Sequence, residues 1–270
     1  MLLKTTIRFF VKLSLAVILM MSMQAQAVAQ VADAKSQLLY DALKKENGGL
    51  KKLAKKKDVE YTYFYNDKSK GTDKSTERYI FNGEQSWAKY TKHPVNVLPD
   101  QKGIAVQSLV DNVPMLTLDG KKITDPKAIG GTVFLRQVNL YWFAMMYKLQ
   151  DPSTISKYIG QEEFKGKTYD KVNLSYDSKL TGKEVNDEYV LYFNPETHLV
   201  DLFYFSLPVR GINKPIIRME CDYEEIDGIL LTTKRRAYAP DQEGKYNLIG
   251  EFTSKNVKFK NKFKKADFML

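Results

Sequence analysis

From Val59 to the C-terminus most of the chain alternates apolar and polar residues with period two, and turn-forming residues cut the alternation into short lengths. Val59, Tyr61, Tyr63 and Tyr65 fall on one face of such a length. Val172/Leu174/Tyr176, Tyr189/Leu191/Phe193, Val200/Leu202/Tyr204, Ile217/Met219/Cys221/Tyr223 and Tyr246/Leu248 repeat the pattern. A period of two places successive side chains on opposite faces of a strand, so this pattern has no helical solution. Asn82-Gly83 and Asp119-Gly120 suit tight hairpins because both central residues tolerate positive φ, and Gly166-Lys167, Asn194-Pro195-Glu196-Thr197 and Asp227-Gly228 are further breaks. The expectation is a mainly β, α+β chain built on a long antiparallel meander of about ten strands.

Three segments depart from this period. Val31 to Glu46 carries Ala34, Leu38, Leu39 and Leu43 at helical spacing and ends at Asn47-Gly48-Gly49, and a short basic segment with Leu50, Leu53 and Ala54 follows. Thr132 to Leu149 is more apolar, with Phe134, Val138, Tyr141, Trp142, Met145, Met146 and Leu149 recurring at helical spacing. Arg136, Gln137 and Asn139 interrupt it, which argues against a membrane span, and Asp151-Pro152 closes it. A few helices on many antiparallel strands must cover one sheet face, or the sheet must close on itself. Either arrangement curves the sheet and turns a concave face lined with aromatics toward the helices.

The N-terminus reads differently from the rest. Lys4, Arg8 and Lys12, then the apolar run Leu13 to Met21, then Ala25, Ala27 and Ala29 follow the order of a cleavable secretory signal peptide. The expected leader is residues 1–29, cut after Ala27 or Ala29, leaving one β-rich domain over residues 30–270 in the periplasm. Losing Lys4, Arg8 and Lys12 takes the formal charge from +10 to +7. Export makes nucleic acid an unsuitable partner for that excess, whereas an anionic membrane surface suits it. Cys221 is the only cysteine, so no intrachain disulfide forms, and its place in an alternating stretch marks it as a small core residue.

Little in the chain supports catalysis. His93 and His198 stand far apart in sequence and in no metal-binding spacing, and both read as solvated loop residues. The acid pairs Glu162/Glu163, Asp187/Glu188 and Glu224/Glu225 are sequence neighbours, which on strands point to opposite faces. Gly130-Gly131 lacks the lysine of a phosphate loop. The reading is therefore a non-enzymatic protein with no catalytic residue, no metal site and no cofactor. The alternating Val257 to Lys264 reads as an edge strand whose lysines discourage pairing with other chains.

Several short sequence words resemble those of the periplasmic lipoprotein-carrier superfamily with the LolA-like fold, and within it a bacteroidete-type branch. They are Glu46-Asn47-Gly48-Gly49-Leu50, Leu118-Asp119-Gly120-Lys121-Lys122, Glu188 to Thr197, Asp227 to Thr232, and the ending from Val257 to Phe268. The resemblance implies a curved antiparallel half-barrel capped by a few helices over an apolar cavity that shelters acyl chains of a lipid or lipoprotein. Carriers of other branches use an arginine of the cavity region in release, for which Arg136 and Arg210 are the candidates here. The expected cavity residues are Phe134, Val138, Tyr141, Trp142, Met145 and Met146 of the apolar helix, with Tyr61 and Tyr63 of the sheet. The same side chains equally suit a completely filled core, which would leave an envelope interaction module whose basic faces meet an anionic surface or protein. A hydrolase using acids that the fold brings together is the third alternative.

Overall fold

The computed structural model describes residues 31–182 and 184–270; the expected leader, with both cleavage positions, lies outside the described residues. The chain begins with a two-residue strand β1 (Val31–Ala32), helix α1 (Ala34–Asn47) and helix α2 (Gly49–Ala54). A first meander follows: β2 (Asp58–Asp67), β3 (Gly71–Ile80), β4 (Gln85–Lys92), β5 (Ala105–Val110), β6 (Val113–Leu118) and β7 (Lys121–Lys122). Helix α3 (Pro126–Lys148) then crosses to the second: β8 (Thr154–Phe164), β9 (Lys167–Tyr176), the one-turn helix α4 (Ser178–Thr181), β10 (Tyr189–Phe193) and β11 (Val200–Leu207). A 3-10 turn (Pro208–Arg210) leads into β12 (Ile212–Ile226), β13 (Ile229–Pro240) and β14 (Tyr246–Phe259), and a second such turn (Lys265–Phe268) ends the chain.

Among the described residues fourteen strands form one sheet in the order β1-β8-β9-β10-β11-β12-β13-β14-β2-β3-β4-β5-β6-β7. Each meander is antiparallel throughout, and the pairing of β14 with β2 welds the two together. The sheet is open and curled, a half-barrel with α3 lying in its concave face. Inward residues of β2 and β3 (Val59, Tyr61, Tyr79) pack with Leu140, Phe143 and Tyr147 of α3 and with Ile229 and Leu231 of β13. On the other side Met145, Met146 and Leu149 pack on Val172, Leu174, Leu191, Phe203 and Met219, so α3 plugs both halves.

The local signals explain most boundaries. Alpha3 starts at Pro126, earlier than the apolar stripe suggested, because Asp125 caps it by accepting the Ala128 N–H at 2.8 Å and a proline suits the first helical position. Similarly α1 starts at Ala34, because the Asp33 carboxylate accepts the Ser36 N–H at 2.8 Å while Val31 and Ala32 pair parallel with Ile155 and Ser156. The count of fourteen strands exceeds the expectation for two reasons: β1 and β7 are two residues long, and Asp111-Asn112 makes a hairpin turn at φ 49° and 64° without glycine.

Three expectations are corrected. A register shift between Tyr192 and Phe193 breaks the single face assigned to Val200, Leu202 and Tyr204: Val200 joins the inner core, while Leu202 and Tyr204 belong to a cluster on the other face with Tyr192. His93 is not solvated; it is 5% exposed, and its Nε2–H donates to the Gly103 carbonyl at 3.1 Å, because the loop after β4 folds back over it. Finally, Val257–Phe259 does not belong to an edge strand of the sheet, since β14 as a whole lies between β13 and β2, but its pairing with β13 stops at Thr253 and this end pairs with β2 alone. Beyond it, Asp58 accepts the backbone N–H groups of Asn261 and Phe263, and the tail runs across the outer face to bury Phe268.

Candidate functional site

Where α3 leaves the sheet uncovered, a cleft of about 270 Å³ opens between the helix, strands β2 to β4 and the corner between β11 and β12. Tyr63 and Tyr65 of β2 and Tyr90 of β4 line the sheet side; Phe134, Val138 and Trp142 of α3 form the opposite wall. The i, i+4, i+8 spacing of these three puts them on one side of the helix, one turn apart. All three are half-buried although they are apolar: sheet residues such as Phe205, Phe252 and the cluster around Tyr90 cover them in part, and the rest of their surface faces the cleft. Phe252 closes the inner end, stacked on Tyr65 with ring centroids 4.5 Å apart and edge-on to Trp142 at 5.6 Å. Leu207, Arg210 and Ile212 stand at the mouth.

The cleft wall also carries polar and charged groups, among them Asp67, Lys70, Asp73, Asn96, Asn139 and Arg210, and the acids are held by hydrogen bonds. Asp73 accepts the Val95 and Asn96 backbone N–H groups at 2.8 and 3.1 Å. Its carboxyl is nevertheless pushed above its ordinary range, because burial outweighs these donors. Arg136 is wholly buried, with its guanidinium 2.6 and 3.3 Å from the two Glu77 oxygens and 2.6 Å from the Tyr90 hydroxyl. Ser75 and Tyr79 donate to the same carboxylate. Burial opposes the guanidinium charge, yet Glu77 opposite more than offsets it and holds the group protonated. This network fastens α3 to β3. On the far side Arg235 of β13, 5% exposed, donates to the Trp142 carbonyl at 2.9 Å and to the Tyr63 hydroxyl at 3.2 Å. Its guanidinium lies 5.3 Å from the Trp142 ring and 5.6 Å from Phe252.

The structure therefore divides the eight expected cavity residues. Phe134, Val138, Trp142 and Tyr63 line the cleft together. Tyr61 stacks on Phe143 at 5.0 Å in the filled core, and Met145 is buried against the second meander. Tyr141 reaches Tyr176 through a hydroxyl–hydroxyl hydrogen bond. Met146 faces a separate groove of about 660 Å³ between α1, α2 and the end of α3. That groove is bordered by Lys44, Lys51 and the backbone of Gly48-Gly49, and lacks the convergent aromatic walls of the cleft. Of the two arginine candidates, Arg210 is exposed at the mouth and Arg136 is spent on Glu77. Arg235 was missed, although its place in the inward series Ile229/Leu231/Thr233/Arg235/Ala237 marks a charge on the concave face. Among the described residues no group of three or more His, Cys, Asp or Glu is placed to hold a metal ion.

The model of a family of unknown function, DUF6503, matches residues 72–213, more than half of the chain. The chain belongs to this family. The matched segment carries all of α3 and every cleft residue from Thr72's strand to Ile212, so the DUF6503 unit contains one wall of the cleft complete. No curated protein matches the sequence. Among solved structures, a DUF1329 family protein from Desulfovibrio piger is similar with a TM-score of 0.51 at 15% identity, covering 86% of this chain and 96% of that one. A domain assigned as an outer membrane lipoprotein-sorting protein, from Vibrio parahaemolyticus, has a TM-score of 0.51 at 11% identity, covering 85% and 94%. A LolA superfamily protein from Nitrosomonas europaea has a TM-score of 0.48 at 9% identity, covering 82% and 98%. The first two likenesses establish the shared half-barrel fold of this DUF6503 member.

Proposed function

We propose that this protein is an exported, non-enzymatic carrier or sensor that holds an acyl chain of a lipid or lipoprotein in the cleft between α3 and strands β2 to β4. The observation that carries the reading is the row Phe134, Val138 and Trp142, half-buried and apolar, facing Tyr63 and Tyr65 across an open space. Each methylene moved from water into such a lining contributes about 0.8 kcal/mol, so a short run of chain binds usefully. A volume of about 270 Å³ lies near the low end for small-molecule pockets and suits a single chain. Since Arg136 and Glu77 fasten α3 to the sheet, loading and release fall to the corner at Leu207 to Ile212, where Val209 is exposed and Gly211 takes φ 77°. The leader read from residues 1–29 supports a periplasmic location and a single mature domain over 30–270. The quoted sequence words support a bacteroidete-type branch of the lipoprotein-carrier superfamily.

Native mass spectrometry of the mature protein, purified from the periplasm without detergent and then extracted for lipid analysis, tests this. A lipid adduct in the parent and its loss in folded Val138→Asp is the expected result. An apo mass that gains nothing from added phospholipid or lipopeptide overturns it.

A second reading, an interaction module for an anionic membrane surface, is favoured by one specific feature. Exposed Lys51, Lys52, Lys55 and Lys57 of the α2 region meet exposed Lys258, Lys260, Lys262 and Lys264 of the tail, where Lys56 and Lys260 lie 2.7 and 3.9 Å from the Asp227 carboxylate. Co-sedimentation with anionic vesicles that vanishes in high salt supports this module; no sedimentation at low salt removes it.

A further inference from the structure

Arg235 is a buried cation without a carboxylate partner among the described residues. Its two hydrogen bonds go to neutral oxygens, the Trp142 carbonyl and the Tyr63 hydroxyl, and its Nε–H has no acceptor. Arg136, buried on the other side of the helix, also has an Nε–H without an acceptor but differs in its counter-charge: it faces the Glu77 carboxylate in two contacts. A buried charge left without a counter-charge is costly, and the pairing is what normally compensates it. The aromatic groups that enclose Arg235, Trp142 and Phe252, are themselves walls of the cleft.

Tyr63 connects the cation to the cleft. Its hydroxyl oxygen accepts from Arg235, so its own O–H has a proton to give, and no acceptor for that proton stands among the described residues. Burial holds the phenol above its ordinary pKa, so it remains a donor at neutral pH, despite the opposing effect of Arg235. The acids of the cleft wall do not use it: Asp67 is engaged by Tyr65, Ser69 and Lys70, and Asp73 by Val95 and Asn96. The remaining charges of the wall, Lys70 and Arg210, are basic and exposed.

We propose that the ligand of the cleft is a single-chain anionic amphiphile whose carboxylate or phosphate accepts the Tyr63 O–H and is countered by Arg235, with the chain along Phe134 and Val138. The inference rests on the lipid reading of the cleft and adds the charge of the ligand and its polarity in the site.

The test is a titration of the mature full chain with three probes of one chain length, dodecanoate, dodecyl phosphate and dodecanol, followed by the fluorescence of Trp142 with Trp87→Phe as background. The expected result is binding of at least one anion ten-fold or more tighter than the alcohol; the tighter of the two anions then identifies carboxylate or phosphate as the head. In Arg235→Met the ratio falls toward one. Tyr63→Phe, which removes only the hydroxyl and keeps the packing, lowers it in the same direction and guards against misfolding of the first variant. Equal affinity for alcohol and anions overturns this inference and leaves the lipid reading standing, as does an anion preference that survives both substitutions. Failure of all three probes to bind removes both.

Discussion

Removing Arg136 alone should cost this protein far more than removing it together with Glu77. The pair is wholly excluded from solvent, and Glu77 keeps only two neutral donors, Ser75 and Tyr79, once the guanidinium is gone. Breaking a buried ion pair on one side typically costs about 3–5 kcal/mol, whereas replacing both partners by apolar residues is often close to neutral. A domain of this size shifts its Tm by roughly 2–4 °C per kcal/mol, so Arg136→Met should melt about 6–20 °C below the parent. Arg136→Met/Glu77→Leu should recover much of that, giving a coupling of about 2 kcal/mol or more in a double-mutant cycle. Urea unfolding followed by tryptophan fluorescence measures all four corners. Arg136→Met within about 1 kcal/mol of the parent, or a double variant as unstable as the sum of the singles, would refute the claim that this charge pair fastens α3 to β3.

Three further outcomes follow from single sites. Burial pushes the Cys221 thiol up to about 12, so it should resist a thiol reagent at pH 8 in the native state and react fully in denaturant; rapid native labelling contradicts its place in the core. The Asp33 carboxyl is held below its ordinary range by the Ser36 and Tyr158 backbone N–H groups. Its contribution is therefore present above the unfolded carboxylate pKa and lost as pH falls through the lower folded value, so hydrogen exchange in acid should open α1 before α3, and uniform opening would count against it. Phe268 is fully buried and edge-on to Phe263 at 5.9 Å, so Phe268→Ala should cost about 3–5 kcal/mol in chemical denaturation; a loss under 1 kcal/mol would mean that the tail is not part of the core.

Residues with a strong local signature were legible in the sequence. The face shared by Val59, Tyr61, Tyr63 and Tyr65 follows from strand period alone, and of the two hairpins expected from positive φ, Asp119-Gly120 forms as read while the turn at Asn82-Gly83 places its positive φ on Gly83 and Glu84 instead. The same holds for the apolar helix and its stop at Asp151-Pro152. These depend on contacts between neighbours in the chain, and neighbours are what a sequence records.

What only the tertiary structure decided is which inward residues fill the core and which line the cleft. Tyr61 and Tyr63 share a face and one buried cluster, yet Tyr61 stacks on Phe143 while Tyr63, two residues farther along, also borders the cleft. Met145 and Trp142 differ in the same way, by less than one helical turn. The burial of Arg136, Arg235 and His93, and the interior place of β14, likewise depend on partners more than forty residues away or on loop folding, as the separation of Arg136 from Glu77 shows. Alternation states which side of a strand a residue occupies; the crossing of one helix over a curved sheet determines what it meets there, because only packing of distant segments sets that distance.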